Sequence, residues 1–252
     1  MSGKFYGVGV GPGDPELITV KAVKRIEESS ILALPVSSGE LKEPVLDETG
    51  MSLEYEKYLK KCVAYQIVLG AGVKVQNKAK LYLPMPMMKE KETLKRLHDK
   101  GAEAAAELLE QGQDIAFLTL GDPTVYSTCM YIYQRIYRQG YTAEIVPGVP
   151  SFCAAAAKMN ISLVENREEL HVIPASYEIE DGLELSGTKV LMKAGKKIPY
   201  VKQAVKEKNM EMKMVENCGM ESEKIYTSAE EVPDETSYYS LFILKESKTG
   251  GK

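Results

Sequence analysis

Short apolar runs of strand length alternate along this chain with longer segments of helical character. The clearest run, DIAFLTL at Asp114–Leu120, lies between an Ala-, Glu- and Leu-rich segment at Glu90–Gln111 and a second helical segment at Val125–Arg138. Parallel strands are joined by crossovers, usually helices, and a parallel strand covered on both faces is apolar throughout. The alternation therefore predicts an α/β fold built on a largely parallel sheet covered by helices.

The alternation continues in a second block, which predicts two α/β domains. We expect an N-terminal domain with a mostly parallel sheet, a C-terminal domain with a mixed sheet and a disordered tail, at residues 1–122, 123–246 and 247–252 respectively. The last strand-like runs, Lys224–Tyr226 and Tyr238–Leu244, have no helix between them and are predicted to pair antiparallel with each other. Val36–Glu54 contains Ser, Gly, Pro and acidic residues and is predicted to form a surface loop.

Composition excludes several classes of function. The 252 residues, 44% of them hydrophobic, suffice for two cores, and a net charge of −4 gives no basic footprint for a nucleic-acid partner. No apolar run approaches the ~20 residues that span a membrane, and the N-terminus lacks the apolar centre of a signal peptide. The four cysteines form no CxxC pair, so neither disulfides nor a metal site are expected. We expect a cytoplasmic protein with free thiols.

The stretch VGVGPGDPE resembles a dinucleotide-binding turn but departs from it at the decisive position. Gly9 and Gly11 match the first two glycines of G-x-G-x-x-G, whereas Asp14 stands at the third. Pro12 has no amide hydrogen to offer a phosphate, and Asp14 followed by Pro15 is typical of a helix N-cap. Acids at a helix N-terminus repel a pyrophosphate. Two interpretations stay open: a loop that approaches another kind of ligand, and a tight turn without a ligand.

The same device recurs after one other strand, where Asp122 is expected to cap a helix that begins at Pro123, and a third strand also ends in a turn rich in Gly and Pro. LTLGDPT ends the buried strand with Gly-Asp-Pro, and VPGVPS follows the strand near Thr142–Val146. Ligands of open parallel sheets bind beyond the carboxyl ends of the strands. Three such turns without a phosphate cradle, with acids nearby, favour a cation that carries no phosphate. S-adenosylmethionine, with its sulfonium and ammonium groups, fits this description.

VGVGPGDPELITVKA, LTLGDPTVYST and EIVPGVPSF, in this order and spacing, resemble the tetrapyrrole methylases. The resemblance covers about residues 4–245. It implies two α/β domains, S-adenosylmethionine as cofactor, an active site in the cleft between the domains and a homodimer. GDPTVYST at Gly121–Thr128 and LPMPM at Leu83–Met87 are most similar to the members that methylate C20 of precorrin-2 or cobalt-factor II in cobalamin biosynthesis. Pro150 departs from the Thr or Ser usual in these relatives, so a side-chain hydrogen bond to the cofactor is not expected there.

The resemblance also implies site residues. The expected cofactor contacts are Pro12, Leu120, Gly121, Asp122, Val125, Ser127, Thr128, Ser151, Phe152 and Lys193. The expected contacts with the flat tetrapyrrole are Gly9, Gly11, Gly13, Asp14 and Met85. A general base for the proton on C20 is not assigned, and Asp14, Tyr126 and Lys193 are the candidates. Lys193 could also pair with a carboxylate of the substrate, whose acetate and propionate groups are anionic.

Other functions stay open at this point. A methylase of the same fold could act on another tetrapyrrole position or on a non-tetrapyrrole acceptor. An NAD-type oxidoreductase is disfavoured because Asp14 replaces the third glycine. A non-catalytic tetrapyrrole carrier would bind the macrocycle without needing the second Gly-Asp-Pro turn.

Overall fold

The computed structural model of this protein describes residues 2–175 and 179–247. It divides into two compact units, residues 1–150 and 151–252. This division differs from the boundary expected at 122/123, because the strand Ala143–Val146 pairs with Phe5–Gly9 and so belongs to the first sheet. The predicted disordered tail, apart from Ser247, lies outside the described residues.

Six strands form the sheet of the N-terminal unit. They are β1 (Phe5–Gly9), β2 (Ile31–Val36), β3 (Val45–Asp47), β4 (Ala79–Pro84), β5 (Ile115–Thr119) and β6 (Ala143–Val146). Their order is β3-β4-β2-β5-β1-β6, and every neighbouring pair is parallel except β3 and β4. The predicted mostly parallel sheet is thus confirmed, whereas β3 lies within the segment that we expected to be a loop.

Helices cover both faces of this sheet. They are α1 (Val20–Glu28), α2 (Glu56–Lys61), α3 (Val63–Gly70), α4 (Lys91–Glu110) and α5 (Cys129–Arg138). Successive residues of β1 alternate between the two faces: Tyr6 packs in a core that contains Ile26 of α1, and Phe5 packs in another core that contains Ile132 of α5. Water is excluded from both faces in the middle of the sheet, which explains why β1, β2 and β5 contain no charged residue.

The C-terminal unit contains a five-stranded mixed sheet, as predicted. Its elements are α6 (Ser151–Lys158), β7 (Leu170–Pro174), α7 (Glu180–Glu184), β8 (Thr188–Met192), α8 (Ile198–Glu207), β9 (Met210–Glu216), β10 (Lys224–Tyr226) and β11 (Ser240–Glu246). The strand order is β10-β9-β11-β8-β7; β7 and β8 are parallel, and the other neighbours are antiparallel.

The prediction that β10 and β11 pair with each other is wrong, because both pair with β9 on opposite sides. The first five residues of β11 are buried, so this strand belongs in the interior of the sheet between β8 and β9. The three residues of β10 are partly or fully exposed, which suits a strand at the edge. Throughout the part of the chain that the structure describes, no helix has the length and apolar character needed to cross a membrane.

Candidate functional site

The turn after β1 has the sequence GPGD and begins at Gly11. Gly11 has a φ of 85°, a left-handed conformation that glycine adopts without strain. The Asp14 carboxylate accepts a hydrogen bond from the Glu16 amide at 2.9 Å, and Pro15 is the first residue of a single 3₁₀ turn. The predicted cap at Asp14 is therefore confirmed, although the α-helix itself begins later, at Val20.

The turn after β5 is held by Asp122. The carboxylate oxygen Oδ1 accepts hydrogen bonds from the amide of Thr124, at 2.8 Å, and from the hydroxyl of the same residue. The expectation that Pro123 begins a helix is wrong, because Tyr126 has a φ of 49°, outside the helical range. The helix α5 begins only after this residue, with Thr128 at its N-cap.

Four glycines, Gly9, Gly11, Gly121 and Gly148, pack the turns after β1, β5 and β6 together, and we call them the glycine junction. The amide of Gly121 donates to the carbonyl oxygen of Gly11 at 2.8 Å, and the amide of Gly11 donates to that of Gly121 at 3.3 Å. A β-carbon on Gly148 would lie 2.2 Å from the carbonyl oxygen of Gly121, and one on Gly9 would lie 2.6 Å from the same atom. Only glycine allows backbones to approach this closely.

Asp122 also ties the glycine junction to the turn after β6. Its second carboxylate oxygen, Oδ2, accepts a hydrogen bond from the amide of Gly148 at 2.9 Å, and its side chain is buried. Both oxygens thus accept from donors of the protein itself. Through these bonds the Asp122 carboxylate holds the backbone of the turns after β5 and β6.

One side of the glycine junction is open. A β-carbon on Gly121, whose φ is 70°, would meet no atom within 4 Å. Tyr126 is 48% exposed and Thr128 is also exposed, whereas Val125 is half-buried. The hydroxyl of Ser127 lies 2.8 Å from that of Thr119, so a hydrogen bond from Ser127 to a ligand would be shared with this contact.

Most of the residues expected to face a tetrapyrrole are buried, whereas Asp14 is half-buried. Gly9, Gly11 and Gly13 are buried, and Gly9 is needed by the packing of the glycine junction. Met85 is buried in the core beneath β4, which argues against a direct contact with a ligand. Met87, which is 72% exposed, is the better candidate in the same segment.

The C-terminal unit carries the remaining expected residues. Ser151 and Phe152 are the first residues of α6 and are half-buried. Lys193 follows β8 directly and has a φ of 62°, in the left-handed region that non-glycine residues seldom occupy. Its Nζ lies 5.8 Å from the centre of the Tyr238 ring.

A cavity of this unit lies away from these residues. Its volume is about 890 Å³, and it is lined by Glu169 and Thr188 near the amino ends of β7 and β8, and by Lys245 of β11. Lys193 is at the other end of β8, so this cavity contains none of the expected site residues. Within the described residues, no three His, Cys, Asp or Glu side chains are grouped so that they could hold a metal ion.

Residues 4–233 match the family model of the tetrapyrrole (corrin/porphyrin) methylases. The chain belongs to this family. It is 32% identical, over 97% of both chains, to a probable cobalt-precorrin-2 C(20)-methyltransferase of Methanocaldococcus jannaschii. It is 28% identical to a precorrin-2 C(20)-methyltransferase of a Sinorhizobium species, over 96% of this chain and 95% of the relative.

Solved structures agree with the fold of this methylase. A uroporphyrin-III C-methyltransferase of Thermus thermophilus, solved in complex with S-adenosylhomocysteine, superposes with a TM-score of 0.64. The match covers 97% of this chain and 98% of the other at 20% sequence identity. Membership in this family favours methyl transfer over the dinucleotide-dependent oxidoreductase considered from the sequence.

The N-terminal unit of this methylase fits a cofactor without phosphates. The amides of Gly11, Gly121 and Gly148 already donate to protein acceptors, so these three amides are not available to bind a phosphate. The open space beside Gly121 lets a ligand approach the backbone. In the C-terminal unit of this methylase, sequence reasoning overlooked the exposed pair Tyr238 and Tyr239, although two adjacent tyrosines before an apolar strand are a visible signal.

Proposed function

We propose that this protein is an S-adenosylmethionine-dependent methyltransferase that adds a methyl group to C20 of cobalt-factor II or precorrin-2 in cobalamin biosynthesis. The observation that carries the proposal is the match, over nearly the full length of both chains, to relatives named for C20 methylation of precorrin-2 or its cobalt form. Two features of the N-terminal unit support the proposal: its fold, and the turns whose glycine amides already donate to protein acceptors and so do not favour a phosphate.

The proposed cofactor contacts are those implied by the family, with one change of role. Asp122 is proposed to fix the backbone of the site instead of contacting the cofactor. The other contacts are unchanged: Pro12, Leu120, Gly121, Val125, Ser127, Thr128, Ser151, Phe152 and Lys193. Gly121 is the best supported member, because its backbone has open space beside it. S-adenosylmethionine, when bound, supplies an electrophilic methyl group on a sulfonium.

The task of the protein in such a displacement is alignment and the exclusion of water. The glycine junction suits alignment, because reciprocal backbone hydrogen bonds and the buried Asp122 hold its turns at fixed positions. The substrate's own C20 is the nucleophile, and its proton must leave after the methyl group is added. Asp14, Tyr126 and Lys193 remain the candidates to accept this proton.

Mass spectrometry of parallel anaerobic incubations tests the reaction. Purified protein and S-adenosylmethionine are mixed with cobalt-factor II in one tube and with precorrin-2 in the other. A gain of one methyl group is expected, and the faster tube identifies the form of the substrate. If neither macrocycle gains a methyl group while a known C20-methyltransferase works in the same buffer, the proposal is refuted.

The remaining alternatives give distinct results in the same experiment. Methylation at another carbon, located by NMR of the product, would indicate another tetrapyrrole position. Binding of the macrocycle without turnover would indicate a carrier. We include a homodimer and a cytoplasmic location in the proposal because the family resemblance implies them; analytical ultracentrifugation and cell fractionation test these two points.

A further inference from the structure

A second group of side chains, two of them exposed and one half-buried, lies at one edge of the C-terminal sheet. β7 is parallel to β8, and β8 and β9 both pair antiparallel with β11, so β7, β8 and β9 run in the same direction. Lys193 follows the carboxyl end of β8, and Tyr238 and Tyr239 precede β11 at the same edge, where Leu241 is opposite both Met192 and Val215. We call Lys193, Tyr238 and Tyr239 the tyrosine–lysine edge.

The turn that carries the two tyrosines is anchored. Glu216, the last residue of β9, is buried, and its Oε1 accepts a hydrogen bond from the amide of Ser237 at 2.6 Å. The hydroxyl of Ser237 donates to Oδ1 of Asn217 at 2.8 Å, and the amide of Asn217 donates to the carbonyl oxygen of Tyr239 at 3.0 Å. These bonds fix the backbone on both sides of Tyr238.

The rings themselves are accessible. Tyr238 is 47% exposed and Tyr239 is 40% exposed, and the two rings meet edge to face with centres 5.3 Å apart. Aromatic rings held in this way at the carboxyl edge of a sheet offer a flat ligand a contact surface that loses little conformational entropy on binding.

Lys193 adds a positive charge to this surface. Its ammonium lies over the Tyr238 ring, and among the described residues it forms no ion pair. Its left-handed backbone costs free energy, and non-glycine residues in this conformation cluster at ligand sites. An ammonium attracts carboxylates and repels a sulfonium, so it suits the anionic substrate better than the cationic cofactor.

We propose that the tyrosine–lysine edge binds the tetrapyrrole, with Lys193 pairing with a carboxylate of a peripheral acetate or propionate group and Tyr238 contacting the macrocycle. This inference rests on the proposed function and deepens it. It moves Lys193 to the substrate contacts, away from both the cofactor contacts implied by the family and the candidates for the proton acceptor, because an ammonium paired with a carboxylate cannot accept a proton. It also makes Tyr238 a determinant of substrate affinity.

Steady-state kinetics with four variants and two controls test the assignment. Lys193→Met and Tyr238→Ala should each raise the KM for cobalt-factor II about five- to tenfold, the equivalent of about one charged or aromatic contact. The KM for S-adenosylmethionine should stay within twofold. Lys193→Arg and Tyr238→Phe should restore most of the affinity. Lys206→Met and Tyr200→Ala, which change exposed side chains of α8, should behave as wild type.

Salt dependence and direct binding complete the test. The KM of the wild type for the macrocycle should rise with salt more steeply than that of Lys193→Met, since salt screens the ion pair. An unchanged KM for the macrocycle in both Lys193→Met and Tyr238→Ala overturns the inference. So does a loss of S-adenosylhomocysteine affinity by calorimetry with macrocycle affinity intact, which would assign the edge to the cofactor.

The proposed reaction can fail independently of this inference. If the wild type binds cobalt-factor II or precorrin-2 but methylates neither, the proposed reaction is refuted, and anaerobic absorbance titrations of the same variants then decide the role of the edge. Weakened titration by Lys193→Met, with Lys206→Met unchanged, supports the edge in that case. If the wild type does not bind the macrocycle, both proposals are refuted.

Discussion

Removal of the Asp122 carboxylate should loosen the turns that form the candidate site. Oδ1 accepts from the amide and hydroxyl of Thr124, and Oδ2 accepts from the amide of Gly148 at 2.9 Å. A hydrogen bond to a charged group contributes about 1.5–3 kcal/mol when buried. Asp122→Ala removes two backbone bonds and should lower the free energy of unfolding by roughly 4 kcal/mol on this basis.

Asp122→Asn removes the negative charge of the side chain and keeps its shape. Whichever way the amide turns, one acceptor oxygen is replaced by an NH₂ group that faces a backbone donor, so about half of the effect, roughly 2 kcal/mol, should remain. Asp114→Asn is the matched control, because Asp114 also accepts from a backbone amide, that of Lys4 at 2.7 Å, but in an exposed setting. It should cost about 1 kcal/mol or less.

Urea denaturation followed by circular dichroism measures these differences, provided that the m-value is unchanged. The Asp122 variants should also bind S-adenosylhomocysteine more weakly, because the backbone of Gly121 and Gly148 is no longer fixed. The anchoring role of Asp122 is refuted if Asp122→Ala unfolds at the same urea concentration as Asp114→Asn. If stability falls while the affinity for S-adenosylhomocysteine is unaltered, Asp122 stabilises the fold but does not position the cofactor site.

Three further changes test the packing of the N-terminal unit by the same denaturation assay. Gly148→Ala should cost about 3 kcal/mol or more, because its β-carbon would lie 2.2 Å from the carbonyl oxygen of Gly121, whereas Gly39→Ala, with no atom within 4 Å, should be nearly neutral. Burial lowers the pKa of Lys80 to about 8, against an ordinary value of 10.5 in the unfolded chain. Between pH 8 and 10.5 the unfolded state therefore binds more protons than the folded state. The stability of the wild type relative to Lys80→Met should rise across this range. Tyr82→Phe should leave stability unchanged or raise it by about 0.5 kcal/mol, since the buried hydroxyl has no hydrogen-bond partner in the described structure.

The sequence predicted the features that depend on local pattern. Apolar runs and their helical spacers located the strands of the parallel sheet, and Asp14 followed by Pro15 located a capped turn. The pattern could not predict which strands become neighbours, because pairing is decided by distant residues. β11 was predicted to pair with β10, yet its buried faces place it between β8 and β9.

The same limit applies to the site. The glycine spacing indicated tight turns, but the bond from Gly148 to Asp122 joins residues 26 apart, and no local pattern predicts it. The left-handed conformation of Tyr126 delays the start of α5, and it cannot be predicted from the sequence because tyrosine usually avoids this conformation. Tyr238 and Tyr239 indicate a binding surface only together with Lys193, which the fold brings to the same edge of the sheet.

The structure gives a stronger reason than charge for the exclusion of phosphate from the turn after β1. Repulsion by the acids of the turn, Asp14 and Glu16, would be weakened by salt. In the folded chain the amides of Gly11 and Gly121 donate to each other's carbonyl groups, and that of Gly148 donates to Asp122. A pyrophosphate at a glycine turn is held by free amide groups, and Pro12 has none to contribute. The exclusion is therefore built into the backbone hydrogen bonds, and it should persist at high salt and in an Asp14→Asn variant that keeps the glycine junction intact.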